Sequence, residues 1–391
     1  MRRRLVPVAL LVLLVLPIRA HSIPAFARRY RVSCTLCHNP VPQLTAFGEQ
    51  FAANGFRFAS GESPSDTVNT GDALLFLARE LPLAMRVDAY VQAYSRGRVA
   101  SDLATPTIIK LLASGPISKT LSYYMYVNLL ERGEFGGFED AILIANDLGG
   151  KLDLSLGQFQ VSDPLFKREL RLSFEDYAVY RARIGDERAN LTYDRGLMAG
   201  LQLGGFELTA MVLNGNGIGP VNQDRQFDDN GFKTLAASVS RDLPGGVRLG
   251  ILGYRGESKS EPFRNRVTML GVDGSFTVGP ITLNAQYLHR EDTDPFFAGA
   301  AQPVKLDGGF LEALFRPAGS RWHGFALYNL VRSDQDGLDV GLGGPADGRR
   351  YQTITGGAGY LLMRNVKLSG EMTWDTVRER ARWTLGFVTA F

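Results

Sequence analysis

Cys34 and Cys37 are the only two cysteines of the chain, and His38 follows the second directly. The run Cys34-Thr35-Leu36-Cys37-His38 has the spacing of a covalent haem attachment site. Two thiols so spaced suit two vinyl groups of one macrocycle, and an adjacent imidazole is a standard proximal ligand of the iron. With this chain's residue frequencies, chance produces such a run in roughly one case in ten thousand. A disulfide would use the same two cysteines, as would a thioredoxin-like redox pair, but the latter wants a βαβ setting that is not visible here. A zinc site needs further ligands, and only His21 is near. The expectation is one covalently attached haem c, bound by Cys34 and Cys37 with His38 on the iron. No catalytic residue is identified.

The opposite axial position is less determined. Neither His nor Met occurs between His38 and Met85. The candidates are His21, Met85 and His323, the last near a short turn. His21 is retained only if a leader is cut after Ala20 rather than after Ser22. His289, beside a polar loop, reads as a surface residue. Methionine would raise the potential relative to a second histidine, and an open position would bind ligands.

The compartment is read from the first residues. Arg2, Arg3 and Arg4 precede a short apolar run, Leu5 to Leu16, and small residues follow near Ala20. This is a signal-peptide pattern over 1–20, too short for a membrane-spanning helix. Removing its four arginines takes the formal net charge from +3 to −1. A nucleic-acid partner then loses its only support.

Residues 21–58 read as a minimal cytochrome segment. Pro42 is placed to start a helix whose Leu44, Phe47 and Phe51 share a face, with Gly55 as its stop. Those side chains and Phe26 would pack on the haem, because so short a unit has little core of its own. Arg28, Arg29 and Arg31 would either pair with haem propionates or form a solvated basic surface.

A polar link over 59–85 leads to a different composition in 86–391, where short alternating segments recur. In 119–130, Leu121, Tyr123, Met125, Val127 and Leu129 oppose Ser122, Tyr124, Tyr126 and Asn128. The same period of two recurs in 206–213 and 281–287, as in strands with one apolar and one polar face. A soluble sandwich also alternates. Segments of about 9–13 residues, however, are long enough to cross an outer membrane when tilted. Connections alternate between short turns (near 203–205, 243–245, 278–280, 317–320 and 364–365) and longer polar loops (214–231, 257–263, 291–305 and 333–350). The expected fold is therefore mainly β: a transmembrane antiparallel barrel in outer-membrane lipid, with a small N-terminal helical c-type cytochrome segment. Terminal Phe391 looks like the assembly signal of outer-membrane barrels.

Seventeen segments look like strands, whereas both barrel ends should face the periplasm and give an even number. Arg171 to Arg183 breaks the short–long alternation. Assigning 161–191 to one long excursion, either folded into the lumen as a charged constriction or exposed as an extracellular loop, leaves 16 strands.

Pro24-Ala25-Phe26-Ala27-Arg28, the haem motif, and the pattern of Pro42, Leu44, Phe47, Gly48, Phe51, Gly55 and Phe56 resemble the cytochrome segment of fused outer-membrane monohaem cytochrome c–porins of iron(II)-oxidising bacteria. The resemblance in motif covers about 35 residues and, in architecture, the whole chain. It implies a haem at or in the pore of a 16-stranded barrel, periplasmic or inside it, with electrons passing from an extracellular donor, Fe(II) or another redox partner, to a periplasmic electron carrier. Loop acids (Asp224, Asp228, Asp229, Asp292, Asp294, Asp334 and Asp336) would attract Fe²⁺ or simply stay solvated. Two other functions fit the residues: an outward conduit to an external acceptor, and a solute porin whose haem is structural or sensory.

Overall fold

The computed structural model describes residues 25–58, 68, 70–72, 75, 77, 79, 82–299, 303–341 and 348–391. The expected leader, His21 and most of the link lie outside these residues. Sixteen antiparallel strands form one closed barrel: β1 (Leu83–Tyr94), β2 (Ile108–Pro116), β3 (Leu121–Glu131), β4 (Gly137–Leu148), β5 (Leu152–Gln160), β6 (Tyr193–Leu203), β7 (Phe206–Leu213) and β8 (Thr234–Leu243) make up the first half. The second half is β9 (Val247–Ser260), β10 (Phe263–Val278), β11 (Ile281–Asp292), β12 (Val304–Phe315), β13 (Trp322–Ser333), β14 (Arg350–Met363), β15 (Val366–Asp375) and β16 (Arg380–Ala390). Each strand pairs with its sequence neighbours, and β1 also pairs with β16 from Arg86↔Ala390 to Tyr94↔Arg382. Phe391 continues the seam, accepting from Met85 N at 2.6 Å and donating to Met85 O at 2.8 Å. Closure leaves no open sheet edge, as backbone in a hydrocarbon surround requires.

The alternation assigns the two faces. In β10, Leu270 and Val272 are 62% and 54% exposed, whereas Met269 between Thr268 and Leu270 is 1% exposed. In β3 the polar set Ser122, Tyr126 and Asn128 is buried inside, and Met125 and Leu129 face outward. On the final strand Trp383, Leu385, Phe387 and Phe391 are all exposed. The outer surface is therefore an apolar band suited to lipid, and the polar groups point into the lumen.

Five short turns fall where the sequence places them. One loop does not. The polar stretch 257–263 is mostly strand, since β9 and β10 run on to a tight turn at Glu261 and Pro262 with Ser260 paired to Phe263. Beyond the lipid band neither face needs to be apolar, so polarity alone does not end a strand. The link also ends sooner than the boundary at 86, because β1 begins at Leu83.

The 161–191 excursion folds into the lumen and is not a seventeenth strand. Tyr177, Ala178, Val179 and Tyr180 are buried against the inner wall, packed with Phe310, Leu306, Met269, Leu327 and Val331. Burial of this apolar stretch explains why the segment resembles a strand in sequence. At the long-loop end, Arg183–Ile184 pairs with Leu338–Asp339. At the other end, Leu170 meets the N-terminal segment, where Gln43 Nε2 donates to Leu170 O at 2.6 Å. The excursion thus runs between the two mouths.

Candidate haem centre

Three short helices carry the motif: α1 (Ala25–Tyr30), α2 (Cys34–Cys37) and α3 (Ala46–Ala53). Ser33 caps α2, accepting from Thr35 N, and Thr45 caps α3, accepting from Gly48 N at 3.1 Å. Pro42 therefore does not start the helix. Its role is different: Pro42 O lies 3.0 Å from His38 Nδ1. That bond places the proton on Nδ1 and leaves Nε2 as a free lone pair, the tautomer a metal ligand needs. Burial, opposed by bonds to the Pro42 and Gln43 backbone, holds the His38 pKa below its usual value, so the ring is neutral at neutral pH.

The α2 and α3 helices approach closely. Thr45 N donates to Cys37 O at 2.9 Å, and Thr45 Oγ1 donates to Leu36 O at 2.7 Å. A Cβ on Gly48 would fall 2.3 Å from Cys37 O, so only glycine fits there. Both thiols are free and half-buried. Burial raises their pKa values, partly offset at Cys34 by its own backbone and by the Arg364 guanidinium. An aromatic cluster packs beside them: Phe26 stacks on Phe56 (centroids 5.6 Å apart) and meets Phe51 edge-on at 5.1 Å, and Tyr30 meets Phe58 at 4.6 Å. Phe47 lies 6.4 Å from Phe51. Two accessible thiols one helical turn apart, an imidazole with a preset tautomer and an aromatic bed together fit a covalent haem.

The segment sits in the short-turn mouth of the barrel. Phe56 stacks on the inward Tyr124 at 5.1 Å, and a Cβ on Gly55 would strike Ser122 and Asn146 of the wall. Arg57 donates to Ser118 O and Lys119 O in the β2–β3 turn. Farther round the ring, Arg316 of the β12–β13 turn donates to Gln43 Oε1 at 3.3 Å and Asn39 O at 3.5 Å. Arg28 and Arg29, read from sequence as propionate partners or solvated surface, face the wall. Arg28 Nη2 donates to Leu83 O at 2.5 Å, and buried Arg29 lies beside Gly115. Arg31 is exposed.

Of the three distal candidates, Met85 lies on β1 opposite in phase to the inward Arg86 and Asp88, which places it on the outer face with Val91. His323 of β13 is buried on the inner face. His21 is not described. His289 is outward and bonded to Asp307 Oδ1 at 2.9 Å, as its reading as a surface residue expects.

The lumen holds charged groups that sequence inspection had not joined. Glu169 pairs with Lys110 at 2.8 Å, Arg168 with Asp176, and Glu175 with Arg382 at 2.6 Å. Glu371 accepts from the backbone of Phe174 at 2.6 Å and Glu175 at 3.1 Å. Burial alone would raise the Glu169 and Asp176 carboxyls. Lys110, Arg171 and Arg168 outweigh it at Glu169, and Arg168, Arg171 and Arg181 do so at Asp176, holding both well below the usual carboxylate range. Glu371 and Arg382 were legible as charges on the inner phase of β15 and β16, though their partners were not. Most of the loop acids proposed to attract Fe²⁺ are engaged: Asp228 with Lys233, Asp229 with Arg188, Asp292 with Arg290, and Asp336 with Arg349. Among the described residues no cluster of three or more His, Cys, Asp or Glu is arranged to hold a metal ion.

No protein-family model matches the chain, and no curated protein does. Solved structures are similar to it in fold. A loop-L8 deletion mutant of OmpT, an outer-membrane protein of Vibrio cholerae, aligns with TM-score 0.57 and 10% identity over 80% of this chain and 99% of that one. An anion-selective porin from Comamonas acidovorans aligns with TM-score 0.57 and 11% identity over 80% and 99%. A Salmonella typhi OmpF complex with daunomycin aligns with TM-score 0.57 and 10% identity over 83% and 100%. The chain has the fold of a porin-like outer-membrane barrel.

Proposed function

We propose that the protein is an outer-membrane haem protein that takes electrons from extracellular Fe(II) and passes them to a periplasmic carrier. The observation that carries this reading is the seating of Cys34, Cys37 and His38 in the barrel's short-turn mouth, in contact with an excursion that reaches the long-loop end. Cys34 and Cys37 would hold a haem covalently, each thiol adding across one vinyl group with its proton going to the other vinyl carbon. His38 Nε2 would be the iron ligand, with Pro42 O accepting from Nδ1 and so orienting the ring. A haem held there supplies reversible one-electron chemistry. Tyr177, Tyr180 and their apolar neighbours fill part of the lumen, and Leu170 of the same excursion accepts from Gln43 of the haem segment. Short turns and both barrel termini lie at one end, which in the usual orientation faces the periplasm, where a soluble carrier would meet the motif.

The test uses full-length protein purified from membranes. A denaturing gel stained for haem is expected to show one band, lost when Cys34 and Cys37 are both replaced by Ala. A stain that persists in that variant overturns the attachment site. Fe(II) is expected to reduce the oxidised holoprotein, with the reaction lost or severely impaired in His38→Ala. If Fe(II) leaves it oxidised but the reduced protein feeds an external acceptor, the outward conduit is the function. The porin-like fold favours a second reading, a solute channel with a structural or sensory haem. It is correct if neither transfer occurs and liposomes carrying the protein leak small solutes.

A further inference from the structure

We infer that His323, on the lumenal face of β13, is the second axial ligand of the haem bound through Cys34, Cys37 and His38. This rests on the haem reading above and adds to it the residue by which the barrel wall completes the site.

The first observation is a polar deficit. His323 is 3% exposed, and among the described residues neither Nδ1 nor Nε2 has a hydrogen-bond partner. A buried imidazole ordinarily satisfies at least one nitrogen, and an orphaned pair calls for a partner the protein chain does not supply. A metal lone-pair acceptor is such a partner for one of them.

The second observation is position. Trp322 at the start of β13 is 62% exposed to the outside, so His323 takes the inward phase shared by buried Phe325 and Leu327. It stands one residue inside the wall's short-turn end. The turns on either side both come up to the haem segment. Arg316, before β13, donates to Asn39 O and Gln43 Oε1, on either side of the Pro42 carbonyl that orients His38. Arg364, between β14 and β15, acts electrostatically on Cys34. The imidazole itself leans across the neighbouring strand, where a Cβ on Gly359 would lie 2.3 Å from Nε2. Glycine at 359 makes room for the ring.

The third observation removes the competitors. Met85 is on the lipid face, and His289 is outside and bonded to Asp307. Met211 and Met269 are buried in the excursion's apolar core, and Met198 packs against it. Met125, Met363 and Met372 are exposed large side chains of the outer surface. Among the described histidines and methionines, His323 alone is inward, unpartnered and on the arc that holds the motif.

A ligand from the wall makes coordination depend on docking of the N-terminal segment. The spin state of the iron then reports whether that segment is seated.

The experiment compares full-length wild type, His323→Gly and His323→Met, with His289→Ala as control, by ferric electron paramagnetic resonance and visible spectroscopy. Wild type and the control are expected to be six-coordinate and low-spin, without the red charge-transfer band of methionine ligation. His323→Gly is expected to become high-spin and to return to low-spin with added imidazole. His323→Met, which preserves bulk should the glycine variant fail to assemble, is expected to gain the methionine band and a raised potential. A stained, haem-bearing protein that stays low-spin in His323→Gly without added imidazole and gains no methionine band in His323→Met overturns this inference alone. Absence of covalent haem from the wild type overturns the haem reading and this inference with it.

Discussion

Replacing Gly48 with Ala tests whether the approach of α3 to the cysteine helix is as close as the structure shows. The new Cβ would lie 2.3 Å from Cys37 O, 3.0 Å from its carbonyl carbon and 3.1 Å from its Cα. All three are backbone atoms, so no side chain can swing aside. The carbonyl is also held by the Thr45 amide at 2.9 Å. Forcing one methyl into such a contact typically costs about 1–3 kcal/mol. Alanine's better helix propensity offsets up to about 1 kcal/mol of that. The net is a destabilisation of roughly 1–2 kcal/mol, about a 5- to 30-fold rise in local opening. Because the segment is small, the expected results are faster amide exchange across 46–53 and a lower yield of covalent haem. Ala53→Gly separates the two contributions, since it weakens the helix without touching Cys37. If Gly48→Ala exchanges like wild type and attaches a full complement of haem, the close approach is wrong, and so is the account of why glycine stands there.

Arg382→Met leaves Glu175 and Glu371 without their shared cation, each with a side chain only 2% exposed. Breaking a buried pair from one side costs about 3–5 kcal/mol, so residues 161–191 are expected to become protease-sensitive and single-channel conductance to rise. Unchanged cleavage and conductance would contradict the docking described here. The lowered carboxyls of Glu169 and Asp176 set a pH window for the same excursion. A carboxyl whose folded pKa is depressed stabilises above its unfolded value and loses that contribution as pH falls through the folded one. Protection of the 161–191 amides, corrected for the pH dependence of intrinsic exchange, is therefore expected not to fall between neutrality and about pH 4 and to be lost only below it. A loss of protection between pH 7 and 5 would count against the ion pairs.

Much of the architecture was legible because a barrel wall repeats one simple rule. The two phases of 119–130 separate into lipid-facing Met125 and Leu129 and lumenal Ser122, Tyr126 and Asn128, as alternation requires. The excursion was legible only by parity, since Tyr177 to Tyr180 are as apolar as a wall strand. What distinguishes them is burial against Phe310 and its neighbours, a contact between residues far apart in sequence. The same distance hid the partners of Arg28 and Arg29, which look like a free basic patch until Leu83 and Gly115 are brought beside them. Pro42 misled because a proline before an apolar run is a common helix start, whereas here the turn through 39–45 presents a carbonyl to His38 and leaves the capping to Thr45.

Which way Met85 and His323 face turns on where two strands begin. With β1 taken to start at 86, Met85 belonged to a link and was free to point anywhere. With β1 starting at Leu83, its phase is fixed by the inward Arg86 and Asp88, and it turns to lipid. At β13 the exposed Trp322 sets the opposite phase for the next residue, and His323 turns inward. A shift of one residue in either strand would exchange inside for outside. Composition therefore could name the candidates, but only register, set by the pairing of each strand with its neighbours, says that His323 faces the lumen and Met85 the lipid.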